Sequence, residues 1–215
     1  MPLDRNTFIP RRLEDVDTLP GITVLSRTYF RVANELCENL NKGDGKHPGH
    51  FYVFPAVMLY SASIEAYFQE RLSIARYLTH LPEADAKLDA LRDRTSLYRD
   101  FKPWLQEVYR FFDRGGEGFD LNSEEYRNVI ALQELRNTIL HYNPAFIEHV
   151  HWPVNLQEAV RRSKIEILNA GWVTNLSSPP VAKWAHDSVR TALELFAGLS
   201  GVEDVFSCAE PFKWE

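Results

Sequence analysis

The pattern of apolar and polar positions along the chain predicts helices over most of its length. Apolar residues recur at three- and four-residue spacing, as in helices that bury one face, and strand-like alternation is rare. The second predicted helix is the most apolar segment, and we expect it at the centre of the core. The predicted helices span about 23–40, 53–78, 84–94, 123–142, 156–168 and 181–199. The third either ends near 94 or continues in pieces to 112.

Turn-forming residues separate these helices. Gly- and Pro-containing stretches at 41–50, 114–118 and 177–180 predict loops, and Pro103 predicts a break after Lys102 because the residue before proline avoids helical geometry. Asn122 or Ser123 is the predicted N-cap of the helix at 123–142. The candidates for short strands are 22–25 and 171–174, and the segment 145–154 is mixed.

These elements predict an all-α fold, a bundle of four to five main helices with shorter helical pieces. The length of 215 residues suits one domain over 1–215, with its core at about 23–199 and an extended N-terminal segment at about 1–20. With 45% hydrophobic and 25% charged residues, the chain does not belong to the collagen or disordered classes.

Charge and targeting features narrow the class of protein. The net charge of -6 excludes a generally cationic nucleic-acid coat, although a local basic patch remains compatible with it. Cys37 and Cys208 form no CxxC pair, which favours a reducing compartment and inert packing roles. Residues 1–17 lack the apolar run of a signal peptide, and 51–60 is about half of the ~20 residues that span a bilayer. We therefore expect a cytoplasmic protein with no membrane partner.

The most informative segment, Glu134 to Pro144, lies at the end of the predicted helix at 123–142. Asn137 and His141 are four residues apart and share a face directed away from the core, with Arg136 on the flank. Arginine offers a planar fork of donors to phosphate oxygens, histidine transfers protons near neutral pH, and asparagine can orient either one. The apolar stripe expected to face the core comprises Leu132, Leu135, Ile139 and Tyr142.

The same residues also allow a purely structural interpretation. A histidine near a helix C-terminus complements the helix dipole, and arginine and asparagine are common on helix surfaces. The residue types alone leave both interpretations open.

The spacing Arg136-Asn137-x-x-x-His141 resembles the R-x4-6-H signature of the HEPN superfamily, in which a polar residue, often asparagine, follows the arginine. The segment 61–70, with Glu65 inside it, resembles the family's early core helix, and 181–190 resembles the closing helix of many members. The resemblance covers about 51–199.

This resemblance implies a HEPN-like bundle that forms a homodimer through the Arg136–His141 face. Many members are metal-independent endoribonucleases of toxin–antitoxin or phage-defence systems, which need no cofactor. By this resemblance, Arg136 holds the scissile phosphate, His141 is the general base or acid, and Asn137 positions the arginine or the phosphate. The expected products carry 2′,3′-cyclic phosphate and 5′-OH ends. Other members are non-catalytic modules that bind a nucleotide or a protein partner, so an RNA substrate, an antitoxin and another protein are all candidate partners.

Glu65 interrupts the most apolar helix and forms a thin polar stripe with Ser61 and Gln69. A carboxylate in a buried helix needs a partner. One hypothesis is that Glu65 faces Arg136 and supports it. The alternative is a carboxylate at the bundle surface, or one paired with another arginine such as Arg71.

The remaining candidates are weighed by their surroundings. The densest basic cluster of the chain comprises Arg161, Arg162 and Lys164. These residues either contact the RNA backbone or form the solvated face of a short helix. Four histidines occur as two close pairs, His47 with His50 and His149 with His151. No cysteine lies near them and Glu148 is their one acidic neighbour, so we expect no metal site there. Core or dimer packing is expected for the aromatic residues Trp104, Tyr109, Phe111 and Phe112. The chain has no Walker-type, GxSxG or Gly-rich phosphate motif.

Overall fold

The computed structural model describes residues 25–42, 49–78, 82–94, 99–113, 118–141 and 176–200. Every regular element within these ranges is a helix, which confirms the all-α prediction there. The six helices are α1 Ser26–Lys42, α2 His50–Leu78, α3 Pro82–Arg92, α4 Phe101–Phe112, α5 Glu124–Leu140 and α6 Pro179–Ser200. The predicted helix at 156–168, the possible strand at 171–174 and the mixed segment at 145–154 lie outside the described residues.

Proline positions account for the main differences from the predicted bounds. The predicted break at Lys102 is wrong, because α4 begins at Phe101 and Pro103 falls in its first turn. A proline in the first turn removes no intrahelical hydrogen bond, since the first N–H groups of a helix have no intrahelical partner. The same reasoning explains why α3 begins at Pro82 and α6 at Pro179, each slightly earlier than predicted.

α2 lies at the centre of the bundle, as predicted, and packs against α1, α3, α5 and α6. A cluster of edge-to-face rings holds its middle against α4 and α6. The Phe196 ring lies 5.0 Å from Phe68, 5.2 Å from Tyr109 and 5.4 Å from Phe112, measured between centroids. Edge-to-face packing places positive ring edges against negative ring faces. The aromatic cluster predicted before the glycine loop is therefore a core cluster.

α1 runs antiparallel to α2 and is capped by it. The Glu70 carboxylate of α2 accepts hydrogen bonds from the backbone N–H groups of Leu25 and Ser26, and from the Ser26 hydroxyl at 2.6 Å. A carboxylate at this position satisfies N–H groups that the helix itself leaves unpaired and complements the positive end of the dipole. Glu70 thus fixes where α1 begins.

α6 runs parallel to α2. The Tyr60 ring of α2 lies 5.8 Å from His186, and Phe68 lies near Phe196, ten residues later in α6. Gly49 precedes α2 so close to the backbone of Ser177 that a side chain would collide with its carbonyl oxygen. The N-terminal ends of α2 and α6 therefore lie together.

Local signals also set the start of α5. The Ser123 hydroxyl accepts the Tyr126 N–H at 3.1 Å, so Ser123 is the N-cap and Asn122 is not. Glu124 and Glu125 lie in the first turn, where acidic residues complement the dipole.

One described segment, Phe51–Arg76, is long and apolar enough to cross a membrane, although its uninterrupted apolar run is much shorter. Half of its most apolar window is buried inside the bundle. A central core helix has this composition because it is covered on several sides.

Candidate functional site

The Arg136–His141 motif occupies the last turn of α5 and faces outward. Asn137 and His141 are exposed, and Arg136 is half-buried on the flank. On the opposite face Leu132 and Leu135 are buried in the core. The predicted orientation of the motif is therefore confirmed for these residues.

Asn137 connects the two outer members of the motif. Its side-chain oxygen accepts a hydrogen bond of 3.0 Å from Nη1 of Arg136. Its backbone carbonyl accepts the N–H of His141 at 2.9 Å, and His141 is the C-cap residue of α5. The amide orients the guanidinium while the imidazole projects from the helix end, so both groups can reach a ligand outside the bundle.

Glu65 does not pair with Arg136 in the described part of the chain, which corrects that hypothesis. Its carboxylate accepts a hydrogen bond from Nε2 of Gln133, and its second oxygen lies 3.9 Å from Nη1 of Arg94. Gln133 lies three residues before Arg136 on α5, so the short Glu65 side chain meets the helix one turn too early to reach the motif arginine. Arg71 is not the partner either, because six residues along α2 place it on a different face.

Gln133 is the centre of a small polar network inside the bundle. It is 6% exposed, and its amide oxygen accepts a hydrogen bond of 2.8 Å from the hydroxyl of Ser61, which is 1% exposed. Both halves of the amide are therefore used, the oxygen toward Ser61 and the nitrogen toward Glu65 of the α2 polar stripe. Buried polar groups are retained where they are satisfied in this way. The network fixes the rotation of α5 against α2 one turn before the motif.

Two further cations lie beside α5. Arg94 stacks over the Trp104 ring at 4.2 Å, next to Glu65. Lys102, in the first turn of α4, lies 3.2 Å from the Glu134 carboxylate. Arg94 and Lys102 thus each lie next to a carboxylate, at the level of Gln133 and Glu134 on α5.

A second polar cluster lies between α1, α2 and α6. The Tyr60 hydroxyl donates to Oδ1 of Asn34 at 2.7 Å, and its oxygen is 3.5 Å from the buried Cys37 thiol. Burial raises the pKa of Cys37 to about 11. A buried, protonated thiol is a packing residue, as predicted for Cys37, whereas Cys208 lies outside the described residues.

His186 and Asp187 border this second cluster on α6. His186 is 6% exposed, and its Nδ1 lies 2.9 Å from the Asp187 carboxylate. Burial opposes ionisation of Asp187, but hydrogen bonds from His186 and Lys183 outweigh it and lower the pKa of this carboxyl. The Phe30 and Tyr60 rings pack against His186, as is typical of a structural histidine and not of a solvent-facing catalytic one.

Several predicted site residues lie outside the described ranges. These are the basic residues Arg161, Arg162 and Lys164. Tyr142 of the predicted core-facing stripe also lies outside them. Within the described residues, no group of three or more histidine, cysteine or acidic side chains is arranged to hold a metal ion.

Comparisons with protein-family models, with curated proteins and with solved structures each give no match.

Sequence reasoning missed Gln133, Arg94 and Lys102 as neighbours of the motif. Gln133 carried a usable signal, because it is a polar residue between Leu132 and Leu135 on the buried side of α5. Arg94 and Lys102 carried none, since their approach to α5 depends on how the turn after α3 folds back onto α4.

Proposed function

We propose that this chain is a metal-independent endoribonuclease of the HEPN type. It acts on RNA in the cytoplasm, in toxin–antitoxin or phage-defence biology, as a homodimer through the Arg136–His141 face. The observation that carries the proposal is the outward-facing set Arg136, Asn137 and His141 at the end of a core helix. An interior packing role would have sealed these side chains, and they are not sealed.

The proposed reaction needs only groups that this face supplies. His141 takes the proton of a ribose 2′-OH as the 2′ oxygen attacks the neighbouring phosphorus. Arg136 binds the non-bridging oxygens, where negative charge increases in the transition state. The bond from phosphorus to the 5′ oxygen breaks, and that oxygen receives a proton from a second acid, for which the partner subunit's copy of the motif is the candidate. The products are a 2′,3′-cyclic phosphate and a 5′-OH.

The second candidate function is a non-catalytic module that binds a nucleotide or a protein partner. Leu140 favours the protein-binding version, because this apolar residue lies inside the motif and is 44% exposed. In that version Leu140 would be one of the apolar residues that the partner covers.

RNA cleavage in EDTA separates the two functions. We expect the wild type to cleave single-stranded RNA, and Arg136→Ala and His141→Ala each to lose at least about a hundredfold in rate, as removal of a general acid–base group or an oxyanion donor does. Arg190→Ala, which removes an exposed arginine of α6, is the control and should retain the wild-type rate. Binding of RNA or protein without cleavage by any variant would favour the module.

A further inference from the structure

Arg71 of α2 is a buried cation whose terminal donors are unused. The residue is 4% exposed, and its guanidinium carbon lies 4.9 Å from the centre of the Tyr67 ring. Both Nη1 and Nη2 are enclosed, and neither has a hydrogen-bond partner among the described residues. A buried charge without a partner is costly, and a contact with a ring face satisfies none of the N–H groups. Arg71 therefore needs a negatively charged acceptor.

The enclosure of this guanidinium limits what the acceptor can be. A ligand that diffuses in from solvent has no access to Nη1 or Nη2, so the acceptor has to belong to the chain itself. The neighbouring carboxylate, Glu70, is already used, because its two oxygens accept hydrogen bonds from Leu25 and Ser26. The next residue of α1 is a second arginine, Arg27, whose Nε is also buried without a partner in the described part of the chain. Glu70 therefore balances at most one of the two arginines.

The end of α6 lies at the level of Arg71. The Tyr67 ring is 5.9 Å from the Phe196 ring of α6, between centroids, and the two helices run parallel. Arg71 lies one turn after Tyr67 in α2, and Ser200, the last residue of α6, lies one turn after Phe196. The chain therefore leaves α6 close to the Arg71 guanidinium.

The sequence that follows α6 carries the opposite charge. Residues 201–215 contain more acidic than basic side chains, namely Glu203, Asp204, Glu210 and Glu215 against Lys213. Glu203 and Asp204 come three and four residues after Ser200, and one residue spans at most about 3.5 Å, so both carboxylates are within reach of Arg71. Residues 1–24 adjoin the same end of the bundle at Leu25, but their charges nearly balance, and their nearest acidic residue, Asp17, is eight residues away.

We propose that the segment 201–215 docks on this end of the bundle, with the acidic pair Glu203 and Asp204 as the acceptor of the unused Arg71 hydrogen bonds. A guanidinium presents two parallel N–H groups that match the two oxygens of one carboxylate. The resulting ion pair joins the segment to α2 and to the end of α6. This inference is independent of the proposed function, because none of these residues belongs to the Arg136–His141 motif.

The test is a double-mutant cycle on the full chain, measured by the melting temperature. Glu203→Gln with Asp204→Asn leaves Arg71 buried without a partner and should lower the melting temperature by about 10 °C. Arg71→Met removes the cation and keeps an unbranched apolar side chain, so it should lower the melting temperature by less than about 4 °C. In the Arg71→Met background the acidic-pair change should have almost no effect, because no buried charge is left without a partner.

Hydrogen exchange at residues 201–206 is the second measurement. Arg71→Met should release the segment and increase the exchange rate there by at least about tenfold, while exchange in the middle of α6 stays at the wild-type rate. This comparison separates undocking of the segment from a general loss of stability.

Two variants serve as matched controls. Glu210→Gln with Glu215→Gln removes the same charge from the same segment farther from α6, and Arg190→Met removes an exposed arginine of α6. Both controls should keep the wild-type melting temperature and the wild-type exchange rate at 201–206.

Three results would overturn the inference. The first is an equal effect of the acidic-pair change in the wild-type and Arg71→Met backgrounds, and the second is an effect no larger than that of Glu210→Gln with Glu215→Gln. The third is coupling of Arg71 to Asp17→Asn instead, which would assign the acceptor to residues 1–24. If Arg71→Met does not fold, the acidic-pair variant decides the matter, because slow exchange at 201–206 in that variant would also contradict docking through Arg71.

Discussion

Replacement of Gln133 by leucine tests how the bundle holds the motif helix. The Gln133 amide accepts a hydrogen bond from Ser61 and donates one to the Glu65 carboxylate, and its side chain is almost fully buried. A neutral hydrogen bond contributes about 1 kcal/mol to stability, and one to a charged group about 1.5–3 kcal/mol. The added apolar contacts of leucine offset part of the loss. We expect Gln133→Leu to lower the free energy of unfolding by about 2–3 kcal/mol.

The loss of stability in Gln133→Leu should be partly recovered by also removing the Ser61 hydroxyl, one of the two hydrogen-bond partners of Gln133. Ser61→Ala in the Gln133→Leu background deletes the hydroxyl that the first change leaves unsatisfied, so the double variant should be more stable than the sum of the single effects by about 1 kcal/mol. Urea denaturation followed by helical circular dichroism measures all four proteins, with an unchanged dependence on urea as the check for two-state unfolding. A loss below about 0.5 kcal/mol in Gln133→Leu, or strict additivity, would refute the network.

Four further outcomes follow from the structure. Phe196→Ala should lower the free energy of unfolding by about 3–5 kcal/mol, whereas the exposed Phe51→Ala should change it by less than about 1 kcal/mol; equal effects would contradict the placement of the core. His141→Ala should change the free energy of unfolding by less than about 0.5 kcal/mol, because the His141 side chain is exposed. A large loss of stability would show that His141 has a structural role instead. In a Cys208→Ser background, a thiol reagent should modify Cys37 only as fast as the protein unfolds, since the thiol is buried and has a pKa of about 11. Rapid labelling of Cys37 in native buffer would be inconsistent with a buried thiol. The pKa of Asp187 is lower in the folded than in the unfolded state, so the ionised carboxylate stabilises the fold above the unfolded pKa, and this stabilisation is lost as the pH falls below about 4. Asp187→Asn should therefore reduce the loss of stability between pH 7 and pH 3, measured by denaturation at each pH. An unchanged pH profile would argue against the ion pairs of Asp187.

Much of the fold could be predicted because local signals and tertiary packing agree. The apolar composition of α2 indicated its central position, and the Ser123 cap with two acidic residues after it indicated where α5 begins. The prediction at Pro103 was wrong because a proline in the first turn of a helix removes no intrahelical hydrogen bond. Lys102 is helical in α4 despite the steric restriction on the residue before proline.

The candidate site was predictable only in part. Helical periodicity correctly gave the outward direction of Asn137 and His141, since both lie on one helix. The partner of Glu65 depends on the axial offset between α2 and α5 and on the turn at Arg94, which periodicity does not contain. The sequence therefore indicated that this carboxylate needs a partner, and the structure identifies Gln133 and Arg94.

End-group analysis of the RNA products tests the central claim most directly. Wild-type protein and His141→Ala are incubated with single-stranded RNA in EDTA, and the ends of any fragments are identified by mass spectrometry. The proposed mechanism predicts fragments with 2′,3′-cyclic phosphate and 5′-OH ends from the wild type and none from His141→Ala. Intact RNA with the folded wild type, 5′-phosphate ends, or equal cleavage by His141→Ala would contradict it.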